Sequence, residues 1–365
     1  MKLEPGTPRD KVDPGGIGRT PGDETAAKDG RRAPAGNGPP KVSVVIPVFN
    51  RPEPVRRAIR SVLNQTYPDF EVIVVDDAST DTTPAVVASF TDPRVSLIRH
   101  DRNRGGSAAR NTGIRAASAP YIGFLDSDDE WMPHNLERQL AVFEEGPDRV
   151  GLVYAGAERV YEDGVVSRDL PRRERDLTRT LLLENVIGET SVGMVRRRVF
   201  DETGGFDESL PSCQDLDLWL RISERFDCVA VPEILVRVIK GTEGHRISAD
   251  VSRTILGREL YGRKHRDKLI RYGVLHLFLR ESGWWQQRRV RDARVARRFY
   301  AESLRANPLA PWTYVLLLAS YQPMRCLDLA ARCKHTVTRW LRSGRLSWRA
   351  AAAVLLMAWP VQPPD

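Results

Sequence analysis

The sequence predicts an α/β fold: a mostly parallel central sheet with helices on both faces. Three observations carry that expectation. Short apolar runs rich in β-branched residues alternate with segments whose apolar positions recur at helical spacing, from residue 41 to residue 125. Polar residues close three of those runs, Asn50-Arg51, Asp76-Asp77 and Asp126 to Asp129, at the strand ends where open α/β sheets bind ligands. The chain has 365 residues, 41% of them hydrophobic, which is room for one large α/β domain and an appendage.

Taken in order, residues 1–40 are rich in Gly, Pro and charge and almost free of large apolar side chains, the composition of a disordered tail. Gly15-Gly16-Ile17-Gly18 follows no strand there and so is not a dinucleotide loop. No apolar core flanked by positive charge marks a signal peptide. Lys41 to Pro47 is a β-branched run ended by proline, a core strand. Pro52 and Pro54 suit the first turn of a helix whose face is Val55, Ile59, Val62 and Leu63. Phe70 to Val75 is a second buried strand, followed by a helix carrying Val86, Val87 and Phe90. Val95 to Ile98 is a third, and Gly105-Gly106 precedes a helix with Ala108, Ala109, Ile114 and Ala117. Tyr121 to Leu125 is the fourth strand.

Beyond residue 150 the pattern loosens. Gly151 to Tyr154 reads as a strand, Val160 to Ser167 as a hairpin around Asp163-Gly164, and Thr190 to Arg196 as a strand before a short helix at Val199-Phe200. Leu216, Trp219, Leu220 and Ile222 mark a short amphipathic helix. Cys228 to Val231 and Ile234 to Ile239 read as two short strands, and from about residue 250 the chain is mostly helical. The four cysteines form no CxxC pair, which argues against a disulfide framework or zinc site and fits a reducing cytoplasm. No stretch of about 20 apolar residues exists for a membrane span, and Ala350 to Trp359 is too short. The net charge is +8, with much of the excess after residue 250; a solvated helical surface or attraction to anionic headgroups both account for it, and no nucleic-acid partner is expected.

The acidic run Asp126-Ser127-Asp128-Asp129 carries the most chemistry. Carboxylates crowded at a strand end repel one another unless a cation joins them, and hard oxygen ligands suit Mg2+ or Mn2+, ions that usually arrive with phosphates. An acidic turn capping the helix that starts near Pro133 is the competing reading. Four further segments stand in order with the run Phe124 to Asp129: Val42 to Asn50, Val75 to Asp81, Ala109 to Gly113 and Gln214 to Arg221. Together the five resemble the inverting glycosyltransferases of family 2, which have the GT-A fold, over roughly residues 41–240.

That resemblance implies a division into a tail, 1–40, a glycosyltransferase domain, 41–248, and a helical basic extension, 249–365; within the domain, 41–130 is the nucleotide half and 131–248 the acceptor half. It implies that Pro47, Phe49, Asn50 and Arg51 border the nucleotide base and that Asp77 hydrogen-bonds its ring edge. The alternative for Asp76-Asp77 is a turn capping the next helix, a role that Asp81 also suits. Arg110 could pair with the diphosphate or be ordinary helix charge. Asp126 and Asp128 are implied to hold the Mg2+ or Mn2+ that bridges both donor phosphates, Asp128 directly and Asp126 through the ribose or a water. Asp215 is the implied general base, preceded by Gln214 where family members often carry Glu; Asp217, one turn into the helix, reads as a salt bridge or a charge at the dipole. His245 lies where relatives often have a loop closing over the donor. The implied partners are a nucleotide-diphosphate sugar and a hydroxyl-bearing acceptor (a glycan, a lipid-linked sugar or a protein), in cell-surface glycan or polysaccharide synthesis. The implied place is the cytoplasm, with peripheral association at the anionic inner face of the membrane as an extension. A sugar nucleotidyltransferase would need a Gly-rich loop after the first strand, where this chain has Pro47-Val48-Phe49-Asn50, and a non-catalytic binding module would not need Asp77, Asp128 and Asp215 together.

Overall fold

The computed structural model describes residues 39–172, 174–240 and 250–321. Residues 1–38 of the expected tail, His245 and the apolar stretch 350–359 therefore lie outside the described residues. The chain divides into two compact units. The first is Met1–Arg173, Ile187–Glu208 and Leu218–Gly244; the second is Glu174–Val186, Ser209–Asp217 and His245–Asp365. The helical region after residue 250 thus takes in two segments from earlier in the chain.

The first unit contains the whole sheet. Strands β1 (Val42–Val48), β2 (Phe70–Asp76), β3 (Val95–Arg99) and β4 (Tyr121–Phe124) alternate with helices α1 (Pro52–Leu63), α2 (Thr83–Ala88) and α3 (Gly106–Ala116). β2–β3, β1–β2 and β1–β4 pair in parallel, so their carboxyl ends share one edge. All seven residues of β1 are buried, as a strand covered on both faces requires. Helix α3 approaches β1 so closely that a Cβ on Gly113 would stand 2.2 Å from Val45 Cγ1. Only glycine fits there, which explains one position of the segment Ala109 to Gly113.

The remaining strands make the sheet mixed. β5 (Glu130–Trp131), helix α4 (Asn135–Glu145), β6 (Val150–Tyr161) and β7 (Val166–Asp169) follow, then β8 (Gly193–Arg196), helix α6 (Val199–Thr203) and β9 (Asp227–Lys240). The strand order is β3-β2-β1-β4-β8-β6-β9-β5, with β7 paired to β6 as the expected hairpin. β8 is antiparallel to both β4 and β6, whereas β9 is parallel to β6. Two expectations change here. The strand expected over 190–196 begins as a 3-10 turn, Thr190–Val192, and only Gly193–Arg196 pairs. The two strands expected over 228–239 are one strand, and its register against β6 shifts near Gly156, opposite Pro232 and Glu233. Proline has no N–H for the ladder, so the strand bulges instead of ending.

The second unit holds helix α5 (Leu177–Leu181), the first turn of α7 (Gln214–Ser223), and helices α8 (Val251–Lys264), α9 (Arg266–Arg271), α10 (Leu275–Trp285), α11 (Ala293–Ala306) and α12 (Pro311–Ala319). Its core centres on Tyr261 and Tyr300, both fully buried. Each hydroxyl has a partner, Leu181 O at 2.8 Å and Gln287 Oε1 at 3.0 Å, as buried tyrosines need. No helix among the described residues is long and apolar enough to cross a membrane.

Candidate functional site

The acidic run leaves the end of β4 as a tight turn, with Asp129 N–H donating to Asp126 O at 3.0 Å. Its three carboxylates have different surroundings. Asp126 Oδ1 accepts from Arg110 Nη2 at 2.5 Å and Thr190 Oγ1 at 3.0 Å. Asp128 Oδ2 lies 2.7 Å from Arg51 Nη1. Asp129 is buried, with Ser191 Oγ donating to Oδ2 at 2.6 Å and Ile239 N–H to Oδ1 at 3.3 Å. Burial alone would raise the Asp126 carboxyl, but the Arg110 charge and hydrogen bond, the Thr190 hydroxyl and the Arg51 charge outweigh it and hold the group below its ordinary range. Burial pushes Asp129 well above that range, helped by the charges of Asp126 and Asp128. The run thus separates into two side chains that remain partly open, at 27% and 17% exposure, and one buried carboxyl raised well above its ordinary range.

Arg51 and Arg110 reach this turn from the start of α1 and from α3. Arg51 is the residue before α1, its N–H donating to Thr83 Oγ1 at 2.9 Å. Arg110 lies in α3, with its guanidinium 5.4 Å from the centre of the Phe206 ring and Nε buried without a partner among the described residues. Asn111 serves another purpose: it brackets the turn at Gly205-Phe206, accepting from Phe206 N–H at 2.8 Å and donating to Phe206 O at 2.9 Å.

At the end of β1, Pro47 is buried in the strand while Phe49 and Asn50 are exposed. Asn50 adopts φ 50°, a left-handed conformation that asparagine tolerates. Its N–H donates to Ser79 Oγ at 2.8 Å and its Oδ1 accepts from Thr80 N–H at 2.8 Å, which stitches the β1 and β2 ends together. Asp77 is only 3% exposed. Its Oδ1 accepts from Arg104 N–H at 2.8 Å and meets His100 Nδ1 at 2.7 Å, and its Oδ2 accepts from Gly105 N–H at 2.7 Å. A carboxylate offers about four lone pairs, so the chain itself takes three of them.

Asp215 belongs to the second unit. It opens α7, where its Oδ1 accepts from Leu216 N–H at 2.8 Å and its Oδ2 from Asn185 Nδ2 at 2.9 Å. Asp217 is fully buried and bridges Lys264 Nζ at 2.8 Å and His265 Nε2 at 2.7 Å, the salt-bridge role expected of it. Further along the same helix, Trp219 is fully buried in the first unit and donates its indole N–H to Gly188 O at 3.2 Å.

Four participants escaped the sequence reading. His100, Thr190, Ser191 and His265 each touch an aspartate singled out above. Thr190 and Ser191 looked like strand residues, and a lone histidine carries no motif, so no signal in sequence separated them from core filling.

Hard oxygen donors decide which cofactor this geometry suits. Mg2+ is ordinarily held by one or two carboxylates with phosphate and water oxygens completing the shell. Among the described residues no group of three or more His, Cys, Asp or Glu is placed to hold a cation, while Asp126 and Asp128 supply two carboxylates with guanidinium neighbours suited to phosphate. The donor set fits a divalent cation whose coordination a diphosphate completes.

The chain resembles known glycosyltransferases in sequence and fold. The family pattern described as "Glycosyl transferase family 2" matches residues 43–204. An uncharacterized glycosyltransferase of Haemophilus influenzae is 30% identical over 217 residues, 58% of this chain and 73% of that protein. The Escherichia coli UDP-Glc:alpha-D-GlcNAc-diphosphoundecaprenol beta-1,3-glucosyltransferase WfgD is 33% identical over 184 residues, 50% of this chain and 69% of that protein. TuaG of Bacillus subtilis, a putative teichuronic acid biosynthesis glycosyltransferase, is 31% identical over 192 residues, 52% of this chain and 74% of that protein. Among solved structures, residues 1–349 of S. aureus TarS in complex with UDP-GlcNAc share the fold, with a TM-score of 0.57 at 20% identity over 84% of this chain and 92% of that one.

Proposed function

The chain belongs to glycosyl transferase family 2, and we propose that it moves a sugar, with inversion, from a nucleoside diphosphate to an acceptor hydroxyl in cell-surface glycan synthesis. One observation carries the reading: Asp126 and Asp128, both partly open and each paired with an arginine, lie just beyond the end of β4, beside β1. WfgD and TuaG, named for a lipid-linked glycan acceptor and for teichuronic acid, support the substrate class.

In this reading Pro47, Phe49, Asn50 and Arg51 border the base, and the one lone pair that the chain leaves on Asp77 accepts from its ring N–H. Asp128 and Asp126 hold Mg2+ or Mn2+, which when bound offsets the charge building on the leaving diphosphate. Arg51 and Arg110 exchange part of their pairing with the aspartates for phosphate oxygens. Asp215, at a helix N-terminus that favours negative charge, takes the acceptor proton. The acceptor oxygen then bonds to the anomeric carbon as the bond to the diphosphate oxygen breaks. The same reading keeps the enzyme at the cytoplasmic face of the membrane. There the basic helices after residue 250, with Arg288-Arg289 and Arg297-Arg298, would meet an anionic surface in a salt-sensitive way.

Asp215→Asn tests the central claim. An amide cannot take the proton, so turnover should fall about 10²–10⁴-fold while affinity for UDP with Mn2+ stays near wild type. Release of nucleoside diphosphate from a panel of UDP- and GDP-sugars with Mn2+ measures the first and calorimetry the second. Near-normal turnover removes Asp215 from the mechanism, and pyrophosphate formation from a sugar phosphate would make the protein a nucleotidyltransferase instead.

A further inference from the structure

The turn Gly188 to Ser191 is held at every residue. Gly188 has φ 109°, a conformation suited to glycine, and its carbonyl accepts from the Trp219 indole. Glu189 accepts from Arg159 Nη2 at 2.8 Å and from Lys240 Nζ at 3.0 Å. Ser191 O accepts from the Trp131 indole at 2.8 Å. Thr190 and Ser191 are 4% and 0% exposed, and both hydroxyls point at the acidic turn. Thr190 Oγ1 donates to Asp126 Oδ1, while Ser191 Oγ donates to Asp129 and accepts from Asp126 N–H at 3.1 Å. Asp126 is therefore gripped at its peptide and at one carboxylate oxygen. Oδ2 accepts no hydrogen bond from the described residues.

We propose that Thr190 and Ser191 are positioning residues of the donor site: they fix Asp126 so that Oδ2 faces the cation of a cation–nucleoside diphosphate pair. The inference rests on the reading of Asp126 and Asp128 as cation ligands. Its physical content is the difference between the two donors on Oδ1. Arg110 is a cation and is drawn toward an arriving diphosphate. Thr190 is neutral, feels no such pull, and keeps the carboxylate aimed once the guanidinium turns away. Its hydroxyl is in turn held in place because the salt-bridged Glu189 and the two indoles tie the turn on both sides of it.

Thr190→Val keeps the shape and removes the donor, whereas Thr190→Ser keeps the donor. Calorimetry of UDP across a Mn2+ series should show Thr190→Val weakening Mn2+-supported binding about 10–100-fold, the usual effect of removing a ligand's hydrogen-bond partner. Thr190→Ser should bind like wild type, and Ser191→Ala should weaken binding in the same direction. UDP binding without metal and the melting temperature of Thr190→Val should barely change. Wild-type affinity in Thr190→Val overturns the proposal, as does a Thr190→Ser variant equally weak, since the loss would then follow packing and not the hydroxyl. Asp128→Asn in the same assay tells two failures apart. If it too binds UDP with Mn2+ like wild type, the donor-site reading falls along with the proposal. If it loses binding while Thr190→Val does not, only the role of Thr190 and Ser191 falls.

Discussion

Asp76-Asp77 closes β2 and Asp126 to Asp129 follows β4, one on each side of β1 in the same parallel half of the sheet. In sequence the two acidic turns look alike. In the structure Asp77 is buried, and two peptide N–H groups and a histidine occupy its oxygens. Asp76 is buried as well, paired with Arg99 and accepting from Ser79 N–H at 3.2 Å. Asp126 and Asp128 stay partly open, and their partners are guanidinium charges that a phosphate can attract. The difference teaches where ligand capacity resides. A carboxylate mostly occupied by fixed peptide donors shapes its own loop and keeps little capacity for a ligand. One held by exchangeable cations can hand them over.

The sharpest break in this comparison comes from Asp128→Asn. Loss of a direct ligand should weaken Mn2+-supported UDP binding by more than the about 100-fold expected of supporting residues, with the unfolding midpoint in urea unchanged. If stability falls instead, Asp128 serves the fold and not the cation. Asp77→Ala should act on stability as well as on binding. It strands the Arg104 and Gly105 amides, so a cost of about 2–3 kcal/mol in unfolding free energy is expected. An Asp77→Ala protein of wild-type stability would show that the Arg104 and Gly105 amides do not need the carboxylate to hold the loop.

Acid provides a smaller and more selective probe of how the β4 turn is braced. Burial works against the Glu189 charge, but the Arg159 hydrogen bond and the charges of Lys240 and Arg159 outweigh it, lowering the group from 4.5 to about 2. A carboxyl lowered on folding contributes stability that is full above its unfolded value and lost as pH falls from 4.5 through about 2. With the side chain a quarter exposed, the contribution is about 1–2 kcal/mol. Glu189→Gln should flatten the pH dependence of unfolding in that window and leave it unchanged near neutrality. An identical acid limb in both proteins would show that the Glu189 ion pairs do not brace the turn.

Local chemistry made much of this legible. The β-branched runs, helical spacing and proline positions set β1 to β4 and α1 to α3 within a residue or two, because each of those signals acts over neighbouring residues. The strand ends marked where carboxylates would gather. The sequence also placed Asp215 at a helix start, where α7 begins one residue earlier. Pairing across the mixed half of the sheet left weaker marks. The bulge in β9 depends on what β6 presents opposite Pro232, and the 3-10 turn at Thr190–Val192 depends on partners from four distant segments.

The sequence by itself determined the parallel α/β half, the acidic residues at its strand ends and the family resemblance, since periodicity and motif order are properties of the chain alone. Only the tertiary structure decided how far the chain occupies each of those acids. It set Arg51 on Asp128 and Arg110 on Asp126, buried Asp129 on Ser191, and grouped Asp215 and Asp217 with the helices after residue 250. The reason is that a carboxylate's charge and free lone pairs are set by donors brought within about 3 Å from anywhere in the chain, and that proximity exists only after folding.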